Sequence, residues 1–183
     1  MASIITATVA NGLTQSADNS GVLQLASGTG NLVTVPSVTG TAMVSGNMPA
    51  FSAFANSGTT ISNAAFTKVL FDTENFDTNN NFASSRFTPT IAGYYQINSG
   101  VSQAGTLVAN NNVIGIHKNG TWVASGSTAG ASSNNGYWVV SGLIYLNGST
   151  DYVEIFVYQN SGGTITTNTG PQTVFSGCLV RSA

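Results

Sequence analysis

His117 is the sole histidine of this 183-residue chain and Cys178 its sole cysteine, so any Ser/His/Asp or Cys/His nucleophilic arrangement must pass through one of them. His117 stands beside Asn119-Gly120, a turn-forming pair, on the strand face shared with Val113 and Gly115. That is the setting of a histidine satisfied by its neighbours rather than of a general base. Cys178 sits in an apolar run without an adjacent cation to lower its pKa, and reads as a small buried hydrophobe. Among the acids, Asp72 and Glu74 fall two apart, which places both on one face of a strand at a spacing of about 7 Å, and Asp77 follows. Paired carboxylates can hydrolyse glycosidic bonds, yet only Phe71 and Phe76 stand near to stack a sugar. Asp151 and Glu154, three apart, point to opposite faces of a regular strand. Asp72, Glu74, Asn75 and Asp77 also offer hard oxygen ligands for calcium, but they match no fixed calcium-loop pattern. No catalytic residue is assigned. The expectation is a protein that is not an enzyme and carries no cofactor, with calcium at Asp72, Glu74 and Asp77 as the one metal option.

The composition supports that expectation. Charged residues make up 5% of the chain, four basic and six acidic, against about a quarter in an average soluble domain. Solubility therefore rests on Asn, Ser, Thr and Gly, which favour turns and disfavour helix interiors. Lys68, Arg86, Lys118 and Arg181 are scattered, which gives no footprint for a phosphate backbone and excludes nucleic acid as a partner. No run reaches the 18 to 20 or so apolar residues that span a bilayer, and the first residues lack the basic start and apolar centre of a secretory leader. Synthesis and assembly in a reducing bacterial cytoplasm are expected.

Elements able to position such residues read as strands. From Pro49 onward apolar residues recur with period two, most clearly at 68–71, 94–97, 113–116, 137–146, 152–158 and 173–180. Clusters such as Asn79-Asn-Asn81, Asn119-Gly120 and Ser161-Gly-Gly163 separate them, and Asn119-Gly120 predicts a type I′ hairpin turn. Short strands without helical stretches predict an all-β sandwich or jelly roll. Residues 1–48 differ, with one charge (Asp18) and no aromatic residue. Val22, Leu23 and Leu25, then Leu32, Val33 and Val35, flank a Gly28-Thr-Gly-Asn31 turn. They predict an extended β arm anchored on a partner, because so thin an apolar set cannot fold alone. The chain thus divides into an arm, 1–48, and a knob, 49–183. Segments 152–158 and 173–180 carry apolar residues on both faces, so one face of each needs a cover beyond the core: a loop, the arm, or another copy. Self-association through Phe156, Tyr158, Phe175 and Leu179 is the sharper expectation.

Residues 49–183 resemble the globular head of complement component 1q and its relatives in the tumour necrosis factor superfamily. Pro49-Ala-Phe-Ser-Ala-Phe54, Val69-Leu-Phe-Asp72, Arg86-Phe-Thr-Pro-Thr-Ile-Ala-Gly-Tyr-Tyr95, Lys118-Asn-Gly120 and Phe175-Ser-Gly177 carry the likeness in order. The resemblance implies a ten-strand jelly roll packed as a homotrimer, and adds Leu143 and Tyr145 to the expected interface. It departs from the family at Asn147-Gly-Ser-Thr-Asp151, in the Asn-rich stretch after Phe76, and in having no collagenous stalk. The arm, through Asn11-Gly-Leu-Thr-Gln-Ser-Ala-Asp-Asn-Ser-Gly-Val-Leu-Gln-Leu25, more loosely resembles N-termini of tailed-bacteriophage virion and fibre proteins. Together these readings lead to an expected structural protein on the virion surface, held by its arm to capsid or tail proteins as a head-decoration or cement protein. The alternatives are a tail-fibre tip that contacts a host glycan or receptor, and a cellular ligand of the complement or tumour necrosis factor type.

Overall fold

Apolar residues in alternation become strands when every second side chain can be buried against a second sheet. The computed structural model describes residues 23–26, 32–35, 46, 48–104, 112–130 and 135–183. The chain divides into two compact units, Met1–Thr41 and Ala42–Ala183. In the first, β1 (Leu23–Ala26) and β2 (Leu32–Val35) form an antiparallel hairpin with Leu23 opposite Val35 and Ala26 opposite Leu32. Leu23, Leu25, Leu32, Val33 and Val35 therefore lie on paired strands. Val22 and the 28–31 turn fall outside the described residues.

The second unit is built from β3 (Ala50–Ala55), β4 (Thr60–Ile61), β5 (Thr67–Lys68), β6 (Thr73–Asp77), β7 (Phe82–Ala83), β8 (Arg86–Phe87), β9 (Ala92–Ala104), β10 (Val113–Lys118), β11 (Thr121–Ser125), β12 (Ser127–Gly130), β13 (Asn135–Asn147), β14 (Val153–Tyr158), β15 (Ile165–Thr166) and β16 (Gly170–Ser182). The first sheet runs β12-β13-β9-β16-β3-β6. The second runs β11-β10-β14-β8-β7, with β5 also on β14, and β15 pairs with β4. The hairpin between β10 and β11 turns at Asn119 and Gly120 with φ of 52° and 78°, positive at both central positions as a type I′ turn requires.

One core fills the space between the sheets. Ile97, Val101, Trp138 and Leu146 come from the first sheet, and Ile114, Ile116, Phe87, Val153, Ile155 and Val157 from the second, all fully buried. Phe51 stacks on Phe87 at 4.3 Å and on Phe82 at 5.0 Å between ring centroids, and meets Phe175 edge-on at 4.9 Å.

These contacts correct the expected interface. Phe175 and Leu179 are buried in this core, so neither is available to a partner. On β16 the outward row is Val174, Ser176 and Cys178, in register with Gly100, Asn98 and Gln96 of β9. Val180 continues this row, and a bulge between Leu179 and Arg181 then places Arg181 opposite the outward Tyr94. Cys178, expected to be buried, is exposed. The strand expected at 68–71 shortens to β5, and Val69 stays alongside β14 through its amide, which donates to the Ile155 carbonyl at 2.9 Å.

Candidate functional site

Several of the charged side chains hold loops together. Asp72 accepts hydrogen bonds from the Asn56 amide at 2.5 Å and the Ser57 amide at 3.0 Å. Asp77 accepts from the Phe82 amide at 2.7 Å and the Asn79 amide at 3.3 Å. Glu74 is exposed on β6. The calcium expectation is thus corrected: Asp72 and Asp77 cap two different loops, and among the described residues no three acidic, histidine or cysteine side chains converge on one point. Asp151 closes the other end of the sandwich. It pairs with Lys118 at 2.8 Å and accepts from Asn119 Nδ2 at 2.7 Å and the Asn147 amide at 3.0 Å. These donors, the Lys118 ammonium foremost, hold its carboxyl below the usual carboxylate range.

Two outward faces remain, and their chemistry differs. On the first sheet the antiparallel register sets Tyr145 opposite Tyr94, Leu143 opposite Gln96, Ser141 opposite Asn98 and Val139 opposite Gly100. Tyr94, Val139, Leu143, Tyr145 and Val180 are each between 42% and 57% exposed. Tyr94, Leu143 and Val180 line an open groove of 550 Å³ that runs to Arg181. Beside it lies an uncharged polar band, where Gln96 Nε2 donates to Ser141 Oγ at 2.8 Å and Ser141 Oγ donates to Asn98 Oδ1 at 2.9 Å. Of the expected interface residues, Leu143 and Tyr145 stand on this face.

Phe156 and Tyr158 stand elsewhere, on the outward face of the second sheet. That face is aromatic at one end. Phe66 lies 5.2 Å from Trp122, 5.3 Å from Tyr158 and 5.5 Å from His117, and His117 stacks on Phe156 at 4.2 Å. The Trp122 indole lies across Gly115, where a Cβ would come within 2.7 Å of its Nε1, so only glycine leaves room for the ring. Burial holds the His117 imidazole below its ordinary pKa of 6.5, against smaller upward pulls from a hydrogen bond with the Gly120 backbone and from Glu154. The other end of the face is ionic. Glu154 is buried, and its Oε1 accepts from Lys68 Nζ at 2.6 Å and Arg86 Nε at 2.9 Å. Burial alone would raise the Glu154 pKa, but the two cations outweigh it and hold the carboxyl below 4.5.

Among the described residues, neither face brings the thiol beside the imidazole. Cys178 is on the first sheet and His117 on the second sheet's outer side, separated by the core.

No family model matches the chain, and no curated protein matches it. Solved structures do. Murine APRIL at pH 5.0 superimposes with a TM-score of 0.55 at 11% identity, covering 73% of this chain and 99% of that one. Eiger TNF from S. frugiperda gives 0.51 at 9% identity, covering 75% and 95%. The fold is the tumour necrosis factor-like jelly roll. At such identity the likeness extends to the fold alone, so function must be argued from the two faces.

Sequence reasoning missed Tyr94, Val139 and Val180 on the first face and Phe66, Trp122 and Arg86 on the second. The alternation of Tyr94 with Tyr95, and of Val139 with Val140, carried the information. What it could not supply was which of two apolar rows faces the core.

Proposed function

We propose that this chain is a non-enzymatic assembly protein, a homotrimeric jelly-roll knob carried by its N-terminal arm on a tailed-bacteriophage particle, where it decorates the head. The observation that carries the self-association is the outward face of the first sheet. Tyr94, Val139, Leu143, Tyr145 and Val180 form an exposed, almost uncharged apolar surface on an otherwise Asn- and Ser-rich protein. Depletion of charge with aromatic enrichment is the composition of an interface centre. The fold agrees with the trimer that the family resemblance implies. Support for the particle comes from the arm's resemblance to virion proteins and from the β1–β2 hairpin, whose edges could extend a partner's sheet by backbone pairing. A tail-fibre tip is the second reading, favoured by the aromatic and ionic face of the second sheet. Light scattering on the full chain tests the assembly: three times 18.7 kDa at micromolar concentration is expected, and a monomer overturns it. Copy number per particle separates the two placements, with hundreds for decoration and about a dozen for a fibre.

A further inference from the structure

The second sheet's outward face is organised along β14, whose outward side chains are Glu154, Phe156 and Tyr158, with Tyr152 just before it. Lys68 lies opposite Phe156, and Phe66 rests on Tyr158, so the ionic and aromatic ends adjoin without a gap. Two of the chain's four basic residues meet at the ionic end, and with Glu154 they leave a local excess of one positive charge on a protein of net charge -2.

Arg86 is held in a defined pose. Its guanidinium carbon sits 3.8 Å above the Tyr152 ring centroid, and Nε is committed to Glu154. The terminal guanidinium nitrogens make no hydrogen bond to the described residues, and 43% of the side chain is exposed. A planar fork fixed at its base, with its far edge open, is the geometry that accepts a carboxylate through two parallel hydrogen bonds. Lys68 Nζ donates to Glu154 and to the Ser84 carbonyl at 2.9 Å. An ammonium has three donors, so one is left over.

Lys68 and Arg86, with Asn80, Ser84, Thr88 and Thr90, line an open pocket of 470 Å³. That volume suits a ligand the size of a small saccharide. The lining offers hydroxyl and amide groups of both hydrogen-bonding senses, and beyond it, on the same sheet, the rings of Trp122 and Phe66 are 46% and 41% exposed. A pyranose has the matching character, with one apolar C–H face to lie on a ring and hydroxyl groups around its edge. A nucleic acid would need more cations than this face has.

We propose that the outward face of the second sheet is a binding site for a carboxylated saccharide. The carboxylate sits on Arg86 and Lys68, the hydroxyl groups reach the pocket lining, and a sugar ring rests on the aromatic end. The site is independent of the assembly surface, which belongs to the other sheet, and it stays open when that surface is covered.

The test uses the full chain and four probes, sialyllactose and trigalacturonic acid against neutral lactose and maltotriose, by calorimetry and saturation-transfer NMR. The acidic probes are expected to bind about tenfold or more tighter than the neutral ones, equivalent to about 1.4 kcal/mol or more. Trp122→Ala removes the exposed ring, and Thr90→Glu sets a carboxylate in the pocket at an exposed position. Each should weaken acidic binding about tenfold. Arg181→Gln removes an equal charge from the other sheet and should leave binding unchanged. The proposal is overturned if neither acidic probe binds at millimolar concentration. It is equally overturned if neutral probes bind as well, or if Trp122→Ala and Thr90→Glu both bind like the parent protein. A monomeric protein that binds the acidic probes would overturn the assembly reading and leave this site standing.

Discussion

Leu143→Asp should dissociate the proposed trimer while leaving each protomer folded. Leu143 is 57% exposed in the protomer, on the strand that carries Val139 and Tyr145. Full burial of a leucine side chain is worth about 1.5–3 kcal/mol, so covering the exposed part contributes about 1–1.5 kcal/mol per subunit and about 3–5 kcal/mol per trimer. An aspartate forfeits that contribution and must also be desolvated, at a further cost of several kcal/mol for each carboxylate. The combined loss exceeds about 4 kcal/mol, which moves the assembly constant by about a thousandfold or more. The same substitution costs the isolated protomer about 1–2 kcal/mol, because over half of the side chain is already in water and only its buried part and strand propensity are lost. Sedimentation equilibrium across micromolar concentrations gives the assembly constant. Thermal melts should depend on protein concentration for the parent chain and lose that dependence in the variant. A Leu143→Asp protein that remains trimeric refutes the assignment of this face. A variant that unfolds outright refutes the claim that Leu143 serves assembly rather than the fold.

Phe175→Ala makes the opposite case. It removes a ring packed 4.9 Å from Phe51 and 5.3 Å from Phe71, and should cost about 3–5 kcal/mol of folding stability by denaturant titration; a loss under about 1 kcal/mol would mean the core is misassigned. Acidification should destabilise the protein in two stages. Burial lowers the His117 pKa, so its contribution is complete above about pH 6.5 and is lost as pH falls below it; the depressed Asp72, Asp151 and Glu154 add a second loss below about pH 4. A denaturation midpoint that is flat or rising from pH 7 to 5, or a first stage that persists in His117→Gln, would count against this. Removing residues 1–46 should leave a folded trimeric knob that no longer sediments with undecorated particles, and equal sedimentation of both forms would show that the knob is the anchor.

The fold was legible because its strands are carried by local alternation and its tightest turn by Asn119-Gly120, both properties of a few adjacent residues. The pairing of β1 with β2 was readable for the same reason. The assignment of faces was not. Segment 173–180 has two apolar rows, and nothing local says that Phe175 and Leu179 fill the core while Val174, Cys178 and Val180 look outward. Register with β9 decides it, and register is a long-range property. The ionic centre was hidden for a similar reason: Lys68, Arg86 and Glu154 are far apart in sequence, and their meeting depends on β5 and β8 both pairing with β14. The acids at 72, 74 and 77 misled in the other direction, since closeness in sequence suggested a cluster where the chain uses Asp72 and Asp77 to cap separate loops.

In the proposed assembly another copy covers one of the two exposed faces, and desolvation favours the first sheet. Covering the second sheet would bury Lys68 and Arg86 around an already buried Glu154, with an excess positive charge left without a partner in low dielectric. Such burial costs several kcal/mol unless the incoming surface brings its own carboxylate, and a copy of this chain has few to bring. Glu74 and Asp77 sit on β6 at the far edge of the first sheet, and Asp72 and Asp151 are committed to their loops. Covering the first sheet meets a smaller cost, since one cation rather than two with a buried carboxylate lies there. Gln96, Asn98 and Ser141 already satisfy one another across the strands, and Arg181, which lines the groove with Tyr94, Leu143 and Val180, is the one cation there. The low charge of the sequence thus acts unevenly. It makes one face cheap to dehydrate and leaves the other, where the remaining cations gather, suited to a small acidic ligand rather than to another protomer.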